Sequence, residues 1–413
     1  MAPGSRQYEL VLLGATGYTG KLTAEHIATS LPTDLKWAIA GRNEQKLSAV
    51  VEELKKKNPD RPSPDIEVCE IKKDALDALA KKAILIITTV GPFMKFGTPV
   101  VEACANNGTH YIDSTGEVPW VYDIINKYHD TAKANGAVMI PQCGVDSVPA
   151  DMMAYLIATH IRRTLNAGTS EVLNVAKLKS KPSGGTLHTI LSLFDHYSLS
   201  QVATSLKPFA LSPVQPPASS TSPTPGLVTK ILGIRQDKDL GILTDWVQAG
   251  VDTAIVQRSW GLLDGGKLYG PNFRFSEWMA ASSALMGVLV HFGMAFSMLM
   301  IALPPVRFLL KKLVFQPGEG PEIESTKQDH AHYKSVGIAD TPKAERAAGT
   351  IKFNGSMYYL TGLALAEAAM VILRGGETDA KKLGGGILTP ATLGDEYLER
   401  LRKAGVTVEV NMM

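Results

Sequence analysis

The first 150 residues alternate short runs of apolar, β-branched residues with longer segments of mixed apolar and charged residues. The short runs have the length and composition of buried strands, and the longer segments have helical spacing. Strands that alternate with helices form a parallel sheet covered on both faces. We therefore predict an α/β domain of the doubly wound type over residues 1–150. Its predicted strands are 8–13, 35–40, 66–71, 83–90, 110–113 and 137–140, and its predicted helices are 20–30, 44–57, 99–107 and 120–135.

After Pro149 the alternation no longer dominates, which predicts a second domain of α+β class over residues 151–354. Residues 205–226 hold six prolines and five serines, which predicts a surface loop within that domain. We also consider that the C-terminal segment 355–413 packs back on the first domain. The elements predicted in these parts are a strand at 171–177 and helices at 150–161, 186–200, 361–373 and 396–402.

One long apolar segment, 279–303, contains no Asp, Glu, Lys or Arg and has His291 as its single histidine. It is long enough to cross roughly 30 Å of hydrocarbon. A helix that is apolar all round must also be covered in a soluble protein. We expect burial between the domains or in a subunit interface, which would make the protein a homodimer. A membrane or lipid surface is the alternative.

Composition narrows the function classes. Lys plus Arg number 42 and Asp plus Glu number 40, giving a formal charge of +2 without the clustered positive charge of a nucleic-acid binder. Three dispersed cysteines predict neither a disulfide framework nor a metal site. The chain begins without a basic segment followed by an apolar run, so we expect a protein that is not secreted and faces the cytosol.

A glycine-rich string, GATGYTG at residues 14–20, follows the first predicted strand and opens the first predicted helix. Glycines at this spacing allow a tight turn, a close approach to a pyrophosphate, and close packing of helix on sheet. The helix N-terminus then binds the anion through its free N–H groups. We predict dinucleotide binding by Gly14, Thr16, Gly17, Tyr18, Thr19 and Gly20.

The end of the second predicted strand indicates which dinucleotide is bound. An acidic residue there would bind a ribose diol, whereas an arginine suits a 2′-phosphate. This chain has Arg42 at that end, with Lys46 one helical turn later, so we predict NADPH in preference to NADH. Val90, Gly91 and Pro92 end the fourth predicted strand, where an open α/β sheet places its ligand crevice, and we assign them to the cofactor site.

Five further strings join these motifs: VGPF at 90–93, YIDSTGE at 111–117, CGVDSVP at 143–149, PGEGP at 317–321 and GGILTPA at 385–391. With the glycine string and SGGT at 183–186, they resemble the saccharopine dehydrogenase-like oxidoreductase family, which includes trans-acting enoyl reductases serving polyketide synthases. The resemblance covers nearly the whole chain. It implies a Rossmann-type domain, a substrate domain built on a β-sheet, and a nicotinamide hydride source. Val145 departs from the pattern, because an aromatic residue is expected before the Asp-Ser pair.

Enoyl reduction needs polarisation of the thioester carbonyl and a proton for the α-carbon. Tyr111, Asp113 and Glu117 follow the fifth predicted strand, and Asp146 and Ser147 follow the sixth, so both loops should face one crevice. We predict these five as catalytic candidates. The alternative roles are helix caps and turn ligands for the acidic residues and Ser147, and core packing for Tyr111.

The favoured function is therefore an NADPH-dependent enoyl reductase acting on a hydrophobic acyl or polyketide-type substrate, presented by a polyketide synthase. A second hypothesis is reduction of an amino-acid imine, as in the saccharopine branch, with Arg274 and Arg307 available to clamp carboxylates. A third is a protein of a membrane or lipid-droplet surface whose cofactor fold is structural or vestigial. His188 and His291 are expected to be structural.

Overall fold

A computed structural model describes residues 6–181, 184–221, 226–313 and 320–413. Parts of three predicted features lie outside the described residues: Ser183, residues 222–225 of the predicted loop, and residues 317–319 of the PGEGP string. The strands are β1 Tyr8–Leu13, β2 Trp37–Gly41, β3 Asp65–Val68, β4 Ala83–Thr88, β5 His110–Asp113, β6 Val138–Ile140, β7 Thr169–Lys179, β8 Ile234–Asp237, β9 Gly241–Asp245, β10 Arg274–Ala280, β11 His330–Ala339, β12 Arg346–Asn354, β13 Gly386–Ile387 and β14 Thr407–Met412. The helices are α1 Tyr18–Ser30, α2 Glu44–Lys57, α3 Lys73–Lys82, α4 Phe93–Asn107, α5 Val118–Ala134, α6 Val148–Leu165, α7 Gly184–His196, α8 Leu199–Ser205, α9 Leu227–Leu232, α10 Ala249–Leu262, α11 Ala284–Ala302, α12 Pro304–Leu313, α13 Met357–Arg374, α14 Asp379–Lys382 and α15 Gly394–Lys403.

The first sheet is parallel throughout, in the order β13-β6-β5-β4-β1-β2-β3. Strand order reverses between β1 and β4, which leaves a crevice outside the carboxyl ends of the strands. The strands inside the sheet have buried cores, as expected for a parallel sheet with helices on both faces, whereas the edge strand β3 is partly exposed. The predicted doubly wound, Rossmann-type sheet is confirmed.

The second sheet is mixed, in the order β14-β12-β11-β7-β10-β9-β8, with β7 and β10 as its parallel pair. Helix α6 leaves the carboxyl end of β6 and packs on β7, β11 and β12. Thirteen of its residues are buried, because it is covered from both sides. This helix therefore carries the chain directly from the crevice of the first sheet to the second sheet.

The C-terminal segment contacts both sheets. Helix α13 packs on α1, and β13 pairs in parallel with β6 at the edge of the first sheet. Strand β14 then pairs with β12 in the second sheet. The last part of the chain therefore ties the two sheets together, although it is far from the glycine string in sequence.

Several predicted boundaries need correction. Helix α3 was not predicted, because its apolar side is narrow and consists of Leu76, Leu79 and Ala80. Helix α4 begins at Phe93, six residues before its predicted start. The predicted helix 186–200 is two helices, α7 and α8, and Ser198 caps the second through a capping box with Gln201.

The predicted burial of the apolar segment between domains is wrong. Residues up to Ala280 belong to β10, and most of the remainder forms α11. Helix α11 has a mean hydropathy of 2.0, yet only 6% of its most apolar stretch is buried. Helix α13 also has the length and composition of a membrane span, but 78% of it is buried, so it is a core helix.

Candidate active site

The glycine string forms a tight turn between β1 and α1. Gly14 has a φ of +94°, and its N–H donates to the Ala40 carbonyl oxygen at 2.9 Å. A Cβ on Gly20 would lie 2.1 Å from the Gly14 carbonyl oxygen, so the helix can start this close to the turn only with glycine there. The turn therefore requires glycine at both positions for different reasons, a backbone conformation and a close approach.

The N-terminus of α1 is open for an anion. Gly17 occupies the N-cap position, and no side chain of the described residues caps the helix. Among the described residues, a Cβ on Gly17 would meet one atom, the Gly14 carbonyl oxygen at 3.4 Å, so these residues leave space on the outer side of the turn. Uncapped first-turn N–H groups next to open space suit a pyrophosphate.

Tyr18, predicted to bind cofactor, has a side chain that is used inside the protein. Its hydroxyl donates to the Pro321 carbonyl oxygen at 2.8 Å, and its ring packs edge-on against Tyr358 at 5.1 Å. The backbone of Tyr18 remains in the first turn of α1, as do the backbones of Thr19 and Gly20, and Thr16 lies in the turn itself. The string therefore offers mainly backbone groups to a ligand.

Arg42 and Lys46 lie at the end of β2 and in the first turn of α2. Both side chains are exposed, and neither makes an ion pair or hydrogen bond with a described residue. Asn43 caps α2 by accepting the Lys46 N–H at 2.9 Å, which fixes the backbone that carries both cations. Two cations without partners at this strand end are suited to a phosphate on the adenosine ribose.

Residues 89–92 form the loop after β4 and meet the glycine turn. The Thr89 hydroxyl donates to the Gly14 carbonyl oxygen at 3.1 Å, while Val90 is half-buried and Gly91 is exposed. Pro92 is the N-cap residue of α4. The structure thus brings the predicted residues Val90, Gly91 and Pro92 to the crevice side of β1 and β4.

The N-terminus of α4 differs from that of α1, because a carboxylate occupies it. Glu117 is buried and accepts the N–H groups of Phe93 at 2.8 Å and of Met94 at 2.6 Å. Burial raises the pKa of this carboxyl to about 7, and the two backbone hydrogen bonds act against that rise. These contacts give Glu117 the capping role that was the alternative to a catalytic one.

Tyr111 and Asp113 also have hydrogen-bond partners within the protein. The Tyr111 hydroxyl donates to Asp113 Oδ2 at 2.5 Å, while Asp113 Oδ1 accepts the N–H groups of Thr115 at 2.8 Å and of Gln142 at 3.1 Å. Both side chains are fully buried, and burial raises the pKa of Asp113 to about 6. Their contacts shape the loop after β5, which is the structural role given above as the alternative to catalysis.

Asp146 and Ser147, at the carboxyl end of β6, have polar atoms that described residues do not fully satisfy with hydrogen bonds. Asp146 is partly exposed, and its Oδ1 accepts the Gln248 Nε2–H at 2.5 Å. Burial raises the pKa of Asp146 above its ordinary value. Ser147 Oγ is buried without a hydrogen-bond partner among the described residues, and it does not cap α6. These two remain the best placed of the five predicted catalytic residues.

Sequence reasoning missed two further carboxyl groups, Asp252 and Glu277, near Asp146. Asp252 on α10 and Glu277 on β10 are both buried and hydrogen-bonded to each other. Asp252 Oδ1 and Glu277 Oε2 meet no donor group of the described residues. Burial is the main cause that raises the pKa of both groups, and the Glu277 charge raises that of Asp252 further. Two touching carboxyls without a cation are stable when they share one proton.

This pair is held by side chains of the second sheet. Asn174 Nδ2 donates to Glu277 Oε1 at 2.7 Å, and Asn174 Oδ1 accepts from Ser335. The Tyr333 hydroxyl approaches the Val145 carbonyl oxygen at 3.5 Å, directly before Asp146. The polar cluster therefore joins the β6 loop of the first sheet to strands β7, β10 and β11 of the second.

The remaining candidate residues are two arginines, two histidines and three cysteines. Arg274 lies 4.0 Å from Glu171, and Arg307 lies 3.1 Å from Asp195. His291 Nδ1 is 2.5 Å from Asp245 Oδ2, and burial lowers the pKa of His188. All three cysteines are buried and unpaired, and within the described ranges no group of three potential ligands could hold a metal.

Comparisons with known proteins agree with this geometry. Residues 10–140 match the family model for the saccharopine dehydrogenase NADP-binding domain. Trans-acting enoyl reductases of Mycobacterium ulcerans and Mycobacterium tuberculosis are 32% and 33% identical to the chain. The first alignment covers 100% of both chains and the second 99% of both.

A solved structure extends the likeness to the fold. Saccharopine dehydrogenase (L-Glu forming) from Saccharomyces cerevisiae has a TM-score of 0.56 with 12% identity, over 98% of this chain and 100% of its own. The protein is an NAD(P)-dependent oxidoreductase, and its first sheet is an NADP-binding domain. The chain therefore belongs to the saccharopine dehydrogenase-like oxidoreductase family, together with the trans-acting enoyl reductases.

Proposed function

We propose that the protein is an NADPH-dependent, trans-acting enoyl reductase that reduces a carbon-carbon double bond of a hydrophobic acyl or polyketide-type thioester. The observation that carries the proposal is the match, over essentially the whole chain, to proteins named trans-acting enoyl reductases. Because the match includes the second sheet, it covers the part that would bind substrate as well as the cofactor domain.

The residues of the crevice fit the cofactor. The open N-terminus of α1 would hold the pyrophosphate, and Gly17 leaves room for its close approach. Arg42 and Lys46 would bind the 2′-phosphate, since both are exposed and have no partner of their own among the described residues. When bound, NADPH supplies the hydride for the β-carbon.

Asp146 is our candidate for the proton donor to the α-carbon. It lies at the carboxyl end of β6 and is partly exposed, so a substrate can reach it. Gln248 orients its carboxyl group, and burial favours the protonated form that a donor needs. Ser147, next in the chain, could donate a hydrogen bond to the thioester carbonyl through its unpaired hydroxyl.

The test is oxidation of NADPH by the purified full chain in the presence of enoyl thioesters of increasing acyl length. We expect turnover that requires the double bond and increases with acyl length. Nicotinamide fluorescence titrations with NADPH and NADH measure cofactor binding separately. Tight NADPH binding without turnover of any enoyl thioester would overturn the enoyl reductase while leaving the oxidoreductase fold intact.

The amino-acid imine reductase is the second candidate. Such a reaction needs cations that clamp a carboxylate. Arg307 is paired with Asp195, and Arg274 lies beside Glu171, so the two arginines are engaged with carboxylates of the protein itself. We therefore rank it below enoyl reduction, and NADPH oxidation with a 2-oxo acid and an amino acid would reverse the ranking. A vestigial cofactor site is disfavoured by the intact turn from Gly14 to Gly20.

We further propose that a separate synthase presents the acyl chain, as the term trans-acting in the names of the relatives suggests. The corresponding measurement compares a thioester on a free pantetheine arm with the same acyl group on a carrier protein. A lower KM for the carrier-bound form would support recognition of a protein partner. Equal values would indicate that the small-molecule substrate is sufficient.

A further inference from the structure

One surface of the second domain is built from three apolar helices, α9, α11 and α12. Helix α11 carries five large exposed residues along one face, Met286 and Met298 are exposed outside that face, and α9 and α12 add other exposed residues beside it. On α11 they recur at helical spacing over about 21 Å, at 1.5 Å per residue. The exposed residues of this apolar face are Leu227, Val228, Ile231, Leu285, Leu289, Phe292, Phe296, Leu299, Phe308 and Leu309.

Both ends of α11 contact the body of the protein. Near its start, the Thr244 hydroxyl donates to the Gly287 carbonyl oxygen at 2.8 Å, and His291 bonds Asp245. At its end, Arg307 donates to the Ile301 and Ala302 carbonyl oxygens and pairs with Asp195 on α7. A helix of 19 residues is about 28 Å long. Because both ends are held on the same domain, α11 lies along its surface and does not cross a bilayer.

The charged residues that these three helices themselves carry have one sign. Helices α9, α11 and α12 contain no Asp or Glu, and their basic residues are Lys230, Arg307, Lys311 and Lys312. Arg307 and Lys311 pair with Asp195, whereas Lys230 and Lys312 are exposed. Apolar residues next to exposed lysines suit the boundary between acyl chains and anionic headgroups. A second copy of this face would bring like charges together, which disfavours self-association.

We propose that the apolar face of α9, α11 and α12 docks the protein in-plane on an anionic phospholipid surface, with the α11–α12 hairpin inserted to headgroup depth. This inference goes beyond the proposed reaction and does not depend on it. It also explains how a chain with balanced charge exposes so many large apolar side chains on one face, since patches of that extent mark interaction sites.

The first test is flotation of the full chain with vesicles of phosphatidylcholine containing 30% phosphatidylglycerol, an anionic fraction of the order used for cytoplasmic leaflets. We expect the protein to float with these vesicles. The double variant Leu289→Asp and Phe296→Asp should bind more than tenfold more weakly, because charged groups replace apolar groups in the inserted face. Val68→Asp is the matched control, since Val68 is an equally exposed apolar residue on β3, and it should bind like the wild type.

A second variant separates the charge contribution. Lys230→Gln with Lys312→Gln should weaken binding to the anionic vesicles several-fold for each lysine and leave binding to pure phosphatidylcholine unchanged. Depth is measured with Phe296→Trp and lipids brominated either near the headgroup or near the methyl end. Stronger quenching near the headgroup is expected, and stronger quenching near the methyl end would overturn the in-plane arrangement.

The competing occupant is a second copy of the chain. Light scattering of the wild type should give a monomer, and the two aspartates should leave this mass unchanged. A dimer that the aspartate variant dissociates, or vesicle binding that this variant retains, would overturn the proposal. NADPH titration of the Leu289→Asp/Phe296→Asp and Lys230→Gln/Lys312→Gln variants keeps the outcomes apart, because none of these residues belongs to the proposed cofactor site and cofactor affinity should not change.

Discussion

The carboxylates that follow β5 differ from the carboxylate that follows β6 in the number of hydrogen bonds that they accept. After β5, Asp113 and Glu117 are saturated by backbone N–H groups and by the Tyr111 hydroxyl. After β6, Asp146 is partly exposed and hydrogen-bonded to one side chain, Gln248. Asp113 and Asp146 are the same residue type and stand at equivalent strand ends. Their difference shows that the count of local donors decides whether such a carboxylate supports the fold or is free for chemistry.

The two helix N-termini at the same edge show the same contrast. Glu117 closes the end of α4, whereas α1 has no side-chain cap among the described residues. An anion bound at α1 would therefore displace no capping side chain of the described residues, whereas binding at α4 would first have to displace Glu117. The sheet thus directs a dinucleotide phosphate to one of two similar helix ends.

The largest expected effect is on the free carboxylate. Asp146→Asn retains an oxygen that accepts the Gln248 N–H but cannot donate a proton at neutral pH. We expect kcat for enoyl reduction to fall by about 10²- to 10³-fold, the usual contribution of a general acid. Steady-state kinetics with NADPH and an enoyl thioester measure this. Affinity for NADPH should be unchanged, and a kcat within threefold of wild type would rule Asp146 out as the proton donor.

Substitution of the saturated carboxylate, Glu117, should lower the stability of the protein. Glu117→Ala leaves the Phe93 and Met94 N–H groups without an acceptor, and we expect the free energy of unfolding to fall by about 2–3 kcal/mol. Urea denaturation followed by circular dichroism gives the value. Glu117→Gln should recover part of the loss, because its amide oxygen can accept a hydrogen bond. A fall in kcat above 100-fold with unchanged stability would instead return Glu117 to the catalytic group.

Removal of the Arg42 cation at the end of β2 should have a smaller effect, on the affinity for NADPH. Arg42→Ala should weaken NADPH binding by about 1.5–3 kcal/mol, the range of a hydrogen bond to a charged group, and leave NADH binding unchanged. Nicotinamide fluorescence titration measures both affinities. Lys36→Ala is a control for an exposed lysine before β2. Equal losses for the two nucleotides would mean that Arg42 acts on the fold and does not select the 2′-phosphate.

Much of the first sheet was predictable, because its strands and helices are specified by local patterns. The strand at 8–13, the helix at 44–57 and the strand at 110–113 agree with β1, α2 and β5. The partners of Asp113 and Glu117 could not be read in the same way, because Gln142 and Met94 are distant in sequence. A residue type at a strand end therefore predicts position but does not predict its hydrogen bonds.

Two other features depend on tertiary contacts. Asp252 and Glu277 come together only when α10 packs on β10, so no spacing in the sequence indicates the pair. The exposure of α11 was not predictable either, because an apolar helix has the same composition whether protein or lipid covers it. A short sequence signal was present in Lys311 and Lys312, which follow the apolar segment after PPVRFLL at 304–310, because basic residues beside apolar ones are typical of interfacial helices.

The smallest expected effect is on the pH dependence of stability. It allows the Asp252–Glu277 pair, which we expect to share one proton, to be compared with Glu117. Burial raises the pKa of all three carboxyls, that of Glu117 to about 7. A raised pKa means that the folded protein holds the proton more tightly than the unfolded chain. This contribution to stability is complete below the ordinary carboxyl pKa near 4 and is lost as the pH rises through the raised value.

The free energy of unfolding should therefore fall with rising pH, by at most about 1.4 kcal/mol per pH unit for each proton. Asp252→Asn supplies an amide N–H in place of the shared proton, so its profile should be flatter than that of the wild type. Glu117→Gln should remove slope between the ordinary carboxyl pKa and the raised value of about 7, and Asp252→Asn should remove a separate contribution that begins at the ordinary carboxyl pKa. Asp113 and Asp151 titrate in every variant, so differences from the wild type isolate each group. Identical profiles for Asp252→Asn and the wild type would show that the pair does not share a proton, and the contrast between saturated and free carboxylates would then rest on Asp146 alone.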